Sequence, residues 1–394
     1  MKIAICGAGV AGPTLAYWLL RRGHAPTLIE SAPELRTGGY MIDFWGVGYD
    51  VAERMGILPA VHAAGYELQD VRWVDRRGRT AGSISAKTMA RELGGRFTSL
   101  PRGDLAALVY RSVEGRAETL FGTTITALRE HDEGVSVTLD SGAEREFEIV
   151  IGADGLHSTV RKLVFGPEDA FERHIGYYVA AFDADGYRPR DELAYVSYGD
   201  PGRQISRFAQ RGDRTMFLLV FAAERLPGAE PRSIAERKRT LGEVFANARW
   251  EWPTILKALE AAGDVYFDRV SQIQMTAWTK GRVALVGDAA ACVSLVAGEG
   301  TGLGMTEAYV LAGEIALAGG DYRTAFAAYE ARLRPFVEGK QKAARDFAST
   351  FTPRTALGVW LRNQATKLMV IPGMADFMVG AQMRDDFKLP DYER

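Results

Sequence analysis

Apolar and polar positions alternate along the chain in a pattern that changes character several times. Residues 2–6 are a short apolar run, Leu15, Trp18 and Leu19 recur at helical spacing within residues 13–22, and Ala25–Glu30 again has the character of a strand. The chain thus opens on a strand-helix-strand unit. From about Val71 to Phe97 the pattern is mixed and interrupted by glycine, and Arg102–Ser112 returns to a helical period. Thr119–Leu128, Gly134–Asp140 and Glu146–Ile151 read as three β segments joined by Asp-Glu-Gly and Asp-Ser-Gly turns, which predicts an antiparallel meander. Tyr177–Ala184, Leu193–Tyr198, Gln204–Gln210 and Thr215–Phe221 predict four strands of a further sheet, with hairpin chemistry in the connections. Helical patterns at Ser233–Asn247 and Pro253–Ala262 are placed to cover it. Gly281–Gly287 then returns as a buried β-run, followed by a glycine-rich turn and a helix from about Thr301. The tail from Tyr322 is helical and is broken by Pro353 and Pro372.

A chain of 394 residues suits two domains. The pattern divides them discontinuously: residues 1–70, 98–172 and 276–340 form a dinucleotide-type domain, 71–97 and 173–275 a second domain, and 341–394 a C-terminal helical segment. The charge balance, 48 Lys+Arg against 50 Asp+Glu, provides no basic field for nucleic acid or an anionic membrane, so a small molecule is the expected partner of a monomer or homodimer. Cys6 and Cys292 form no metal-type pair, and the five histidines, His24, His62, His131, His157 and His174, show no metal spacing; no metal is expected. The N-terminal run passes at once into Gly7, Gly9 and Gly12, and no apolar run reaches membrane-spanning length. A cytoplasmic protein with reduced thiols is the expectation.

The candidate chemistry lies in three separated segments. Gly7-Ala8-Gly9-Val10-Ala11-Gly12 stands between the first strand and helix, where glycines allow a tight turn and close approach of a pyrophosphate to backbone N–H groups. Glu30 ends the second strand, placed to accept hydrogen bonds from ribose hydroxyls. These two features leave FAD and NAD open. The second segment runs from Val150 through Gly152, Asp154-Gly155 and His157 to Arg161, and the third from Arg282 through Gly287-Asp288 to Gly298-Glu299-Gly300-Thr301-Gly302.

With these motifs in this order, the sequence resembles the class A flavoprotein monooxygenases, the para-hydroxybenzoate hydroxylase family, over most of residues 1–340. Ala11-Gly12-Pro13, Leu15 to Leu19 and Arg36-Thr37-Gly38-Gly39 are similar to the subgroup of tetracycline-inactivating flavin monooxygenases. The resemblance implies an α/β fold: a Rossmann-type FAD-binding domain of three β/β/α layers, an inserted mixed-sheet substrate domain, and C-terminal helices. It implies FAD as cofactor, NADPH or NADH as transient electron donor, and O2 as co-substrate. Hydroxylation or epoxidation of an aromatic or polycyclic molecule through a flavin C4a-hydroperoxide would follow, as in secondary metabolism or antibiotic modification.

Carried over residue by residue, the family pattern assigns cofactor contact to Gly7, Gly9, Val10, Ala11, Gly12 and Glu30, to Arg36 and Gly39 on the loop along the flavin edge, and to Arg102. It adds Asp154 and Arg161 of the second motif, Gly287 and Asp288, and the turn residues Gly298, Gly300, Thr301 and Gly302, where a helix N-terminus stabilises charge on the flavin pyrimidine. Phe182, Arg207, Phe208 and Phe217 are expected to line the substrate pocket; no catalytic base is legible. The chain departs from its relatives at Ala291 and Leu295, where they carry histidine and proline, and at Glu299, where they carry glutamine. An ionised Glu299 facing the pyrimidine would oppose an anionic reduced flavin; turned to solvent, it would not. A flavin oxidase, dehydrogenase or C=C reductase, or a ligand-binding flavoprotein without turnover, remain alternatives on the same scaffold.

Overall fold

The computed structural model describes residues 1–35, 39–86, 90, 91, 93–294, 298–368 and 385–392, with residues 346–350 and 368 described by their backbone. The opening unit forms as its pattern requires: strand Lys2–Cys6, helix Ala11–Arg21 and strand Ala25–Glu30. Lys2–Cys6 is central in a six-stranded sheet, pairing in parallel with Ala25–Glu30 on one side and Ile149–Gly152 on the other. Val283–Leu285 continues the sheet beyond Ile149–Gly152, and Glu118–Phe121 closes the far edge. Ile3, Ile5, Leu28, Ile149 and Ile151 are fully buried, as expected of strands covered on both faces.

The predicted meander at 119–151 is therefore redistributed. Gly122, at φ +60°, turns the chain after Phe121, so the first half of the expected Thr119–Leu128 strand joins the parallel sheet. Ile125–His131, Gly134–Leu139 and Glu144–Phe147 make the three-stranded antiparallel layer, and Ile149–Gly152 belongs to the parallel sheet.

The second sheet has seven strands, in the order Tyr266–Ile273, Glu172–Asp185, Arg214–Ala222, Arg203–Gln210, Ala194–Asp200, Asp70–Val74 and Thr80–Ser85. The four strands predicted from alternation occupy its centre. Helices Ile234–Val244 and Trp252–Ala261 cover one face, with Leu241, Phe245, Trp252, Ile255 and Leu259 buried against it. Ser233 begins the first of them with a reciprocal capping box to Glu236.

Helix Gly300–Leu317 is buried on nearly every side and packs against Ala11–Arg21, Gly46–Arg54 and the 30-residue helix Tyr322–Phe351. Helix Ala356–Leu368 lies on the outer strands of the second sheet. Residues 385–392 then return to helices Gly300–Leu317 and Tyr322–Phe351, where Tyr392 packs against Tyr309 and Phe387 stacks on Phe336 at 5.0 Å. Among the described residues no helix is long and apolar enough to cross a membrane.

Candidate functional site

A cavity of about 580 Å³ opens at the C-terminal ends of four parallel strands, Lys2–Cys6, Ala25–Glu30, Ile149–Gly152 and Val283–Leu285, and reaches the edge of the second sheet. This is where ligands settle in open α/β sheets, because the turns that follow the strands present free backbone donors.

Gly7, Gly9, Val10 and Ala11 line its floor. Gly12 lies beneath them: a β-carbon there would stand 2.0 Å from the Gly7 carbonyl oxygen, so any side chain would force the helix off the strand. Glu30 lines the same end and is held by the backbone, one carboxylate oxygen accepting from Ala8 N–H and the other from Ala32 N–H, both at 2.8 Å. The Ser31 hydroxyl also donates to the second oxygen, at 3.4 Å, so the loop after the strand fixes the carboxylate at the cavity edge.

Asp288 lines the cavity, following Gly287 in a left-handed turn at φ +63°, ψ −143°. Gly298, Gly300 and Thr301 complete that wall, where the N-terminus of helix Gly300–Leu317 and its free N–H groups meet the cavity. Gly302 lies one step behind, against Gly48. Glu299 takes neither orientation weighed from the sequence: it is largely buried and pairs with Lys340 at 3.1 Å. The ammonium group also holds Asp385 at 2.6 Å, so a cation offsets the extra carboxylate at the start of this helix. Burial moves the Glu299 carboxyl above its usual range despite the opposing pull of Lys340. Ala291 is an ordinary core position, 4% exposed, while Leu295 lies outside the described residues, as does Arg36. Gly39 lines the cavity.

Asp154 also lines the cavity but spends its carboxylate locally, accepting from the Ser158 hydroxyl at 2.5 Å and Val160 N–H at 3.1 Å. Ser158 in turn caps helix Thr159–Val164 by accepting from Arg161 N–H. Arg161 does not reach the cavity. Its side chain is fully buried behind the loop, donating to the Ala289 carbonyl at 3.0 Å and the Glu168 carboxylate at 2.9 Å. It thereby ties the second motif to the turn carrying Asp288.

Arg102 presents its guanidinium to the cavity beside Tyr40, Asp288 and Tyr266; its backbone N–H donates to the Tyr40 carbonyl at 3.1 Å, while its side chain makes no hydrogen bond with any described residue. An unsatisfied cation, backbone donors at two helix starts and a carboxylate at the far end fit a dinucleotide whose pyrophosphate crosses the turn.

The opposite wall was not legible in the sequence. Tyr266 and Asp268 reach in from strand Tyr266–Ile273, the Tyr266 hydroxyl donating to Asp268 at 3.2 Å, and Tyr40 meets the Tyr266 ring at a centroid distance of 6.1 Å. Burial pushes the Tyr40 phenol up to about 12, so it stays neutral at working pH.

His157, at the rim, joins strand Tyr266–Ile273 of the second sheet to the turn that follows helix Thr159–Val164: Nε2 lies 3.2 Å from Asp268 and Nδ1 2.9 Å from Glu168. These carboxylates, Asp268 first, push its pKa up to about 9 from 6.5. Because the folded-state value is raised, the stabilisation is fully present below about pH 6.5 and is lost as pH rises through about 9. Urea midpoints for wild type and His157→Gln should therefore converge between pH 6.5 and 9.5; curves that stay parallel would show that the clasp carries no charge.

The four pocket candidates divide between the sheet faces. Phe182 and Phe217 stack at 4.9 Å in the core beneath the covering helices, with Phe221 and Phe245. Arg207, on that same face and 3% exposed, is bound by Asp191 at 2.6 Å and Glu251 at 2.9 Å. None of the three lines the cavity. Phe208, on the other face of the sheet, is packed with Met41, Tyr66 and Met216 and does not line the cavity either.

Comparison with known proteins agrees with this geometry. Residues 1–344 match the FAD binding domain family. An uncharacterized protein of Mycobacterium tuberculosis is 38% identical over 87% of this chain and 92% of its own. A flavin-dependent monooxygenase from an unknown prokaryotic organism is 35% identical over 91% of this chain and 89% of its own. The crystal structure of the tetracycline destructase Tet(55) superposes with a TM-score of 0.84 at 32% identity, covering 99% of this chain and 98% of that one. The chain belongs to the FAD binding domain family and is a class A flavin-dependent monooxygenase.

Proposed function

We propose that the protein takes electrons from NADH or NADPH and uses O2 to place one oxygen atom on an electron-rich aromatic or polycyclic small molecule, the second oxygen leaving as water. The observation that carries this reading is a single cavity walled on one side by the dinucleotide turns and on the other by Tyr266 and Asp268 of the second sheet. FAD bound there supplies the redox and oxygen-activating chemistry.

The protein's own residues do the rest. Gly7 N–H is taken by the Ile29 carbonyl and Ala8 N–H by Glu30, so the backbone N–H groups of Gly9, Val10 and Ala11 would hold the pyrophosphate, Glu30 the ribose, and Asp288 with Arg102 the region between. The N-terminus of helix Gly300–Leu317 favours negative charge at its mouth. Tyr40 and Tyr266 give the cavity neutral aromatic walls that exclude water and accept a flat ring.

Likeness to a tetracycline destructase over nearly the whole chain makes a tetracycline a first compound to try, beside a panel of phenols and fused-ring molecules. A substrate is expected to accelerate NAD(P)H oxidation and to gain one ¹⁸O atom from ¹⁸O2. Flavin that stays oxidised with either donor, or product that carries no label, would sink the proposal.

A further inference from the structure

Behind the Gly287-Asp288 turn stands a carboxyl group that the chemistry above does not use. Glu307 projects from helix Gly300–Leu317 and is 1% exposed. Its Oε2 accepts from Gly287 N–H at 2.6 Å and lies 3.3 Å from the Tyr329 hydroxyl. The same hydroxyl lies 3.0 Å from the Leu285 carbonyl oxygen.

Counting protons orders these contacts. A carbonyl oxygen only accepts, and a phenol has one proton to give. Once Tyr329 donates to Leu285, its oxygen is an acceptor, and the contact with Glu307 is satisfied when Glu307 carries the proton. The surroundings favour the same state. The titratable groups that face Glu307 are Asp288 on the turn and Tyr329 on helix Tyr322–Phe351, and no lysine, arginine or histidine among the described residues bonds to it. Glu330, beside Tyr329, is taken up by Arg334 and Thr279. An ionised Glu307 would be an uncompensated buried charge next to a second carboxylate.

We propose that Glu307 is a positioning residue held as the neutral acid, which fixes the Gly287 N–H, and through it Asp288, while keeping a second negative charge away from the flavin site. This rests on the assignment of Asp288 to that site. Burial first, with the nearby Asp288 charge adding to it, pushes the Glu307 pKa up to about 8. The neutral form therefore prevails below about pH 8 and is lost above it.

Titrating FAD onto the flavin-free protein, followed by fluorescence quenching from pH 6 to 9.5, tests this in wild type, Glu307→Gln and Glu307→Ala. Glutamine is uncharged like the acid and keeps, with its carbonyl oxygen in the place of Oε2, the acceptor for Gly287 N–H. Wild type is expected to bind about tenfold more weakly at pH 9.5 than at pH 6.5, the equivalent of one pK unit of coupling. Glu307→Gln should match wild type at pH 6.5 and keep only the part of the loss due to His157, which lines the same cavity and discharges near pH 9. Glu307→Ala should bind more weakly at every pH. A Glu307→Gln profile that falls as steeply as wild type would overturn the proposal, as would Glu307→Ala with wild-type affinity at pH 6.5. Wild type that binds no FAD at any pH would overturn the flavin assignment itself and this proposal with it; tight, pH-independent binding would overturn this proposal alone.

Discussion

Asp288→Ala is expected to give a folded protein that elutes from gel filtration without stoichiometric flavin. The side chain lines the cavity and supports no core: the strand before it is buried through Val283, Ala284 and Leu285, and the short helix after it through Ala289, Ala290 and Ala291. Its loss removes a charged acceptor placed between Arg102 and the start of helix Gly300–Leu317. A hydrogen bond to a charged group contributes about 1.5–3 kcal/mol. At 1.4 kcal/mol per decade, one such bond weakens flavin binding roughly tenfold to a hundredfold. The far end of the dinucleotide, at Gly7–Ala11 and Glu30, is untouched, so saturating FAD should restore colour. The measurement is the ratio of flavin to protein absorbance after gel filtration, beside a thermal melt of the flavin-free form. Full retention of flavin would remove Asp288 from the site.

The parts of this site that were readable from the chain are those where backbone geometry dictates residue type. Gly12 has no room for a β-carbon, Gly287 takes a positive φ, and Glu30 ends a strand at a fixed distance from the turn, so each leaves a mark at its own position. The wall contributed by the second sheet leaves none. Alternation shows that Phe182, Arg207, Phe208 and Phe217 belong to strands, but which parity faces the first domain depends on how the covering helices dock, a non-local fact. Arg207 and Phe217, directly paired across neighbouring strands, consequently share the helix-covered face, with Phe208 on the other. Strand Tyr266–Ile273 was missed because its Asp268, Arg269, Ser271 and Gln272 break the apolar rhythm. Asp268, Arg269 and Ser271 are polar because they serve the cavity and the ion pairs around it, and Gln272 because it ties the strand to the Val293 and Gln341 carbonyls. Glu307 was equally silent, as one acidic residue in a helix whose apolar character runs all the way round.

Lys340→Met is expected to be among the most destabilising single substitutions in the chain. Lys340 pairs with carboxylates from two other segments distant in sequence, joining its own helix Tyr322–Phe351 to Glu299 at the start of helix Gly300–Leu317 and to Asp385 in the returning C-terminal residues. All three side chains are 11–16% exposed, so solvent screens them poorly. Asp385 also accepts from Val47 N–H at 2.7 Å at the start of helix Gly46–Arg54, which passes the same charge to a fourth element. Methionine preserves most of the volume over the Phe336 ring, so the loss is electrostatic rather than a cavity. Removing one partner of a buried ion pair costs about 3–5 kcal/mol, because the remaining charge is left unpaired, and here two carboxylates are left facing each other. The effect should read as a lower urea midpoint at pH 7.5. It should shrink towards pH 5, because burial already raises the Glu299 carboxyl and the loss of Lys340 lets it take up a proton more readily. Adding Glu299→Gln to the Lys340→Met protein should recover part of the loss at pH 7.5 and little at pH 5. A midpoint unchanged by Lys340→Met would mean that the ammonium group gains no more from Glu299 and Asp385 than it lost on leaving water.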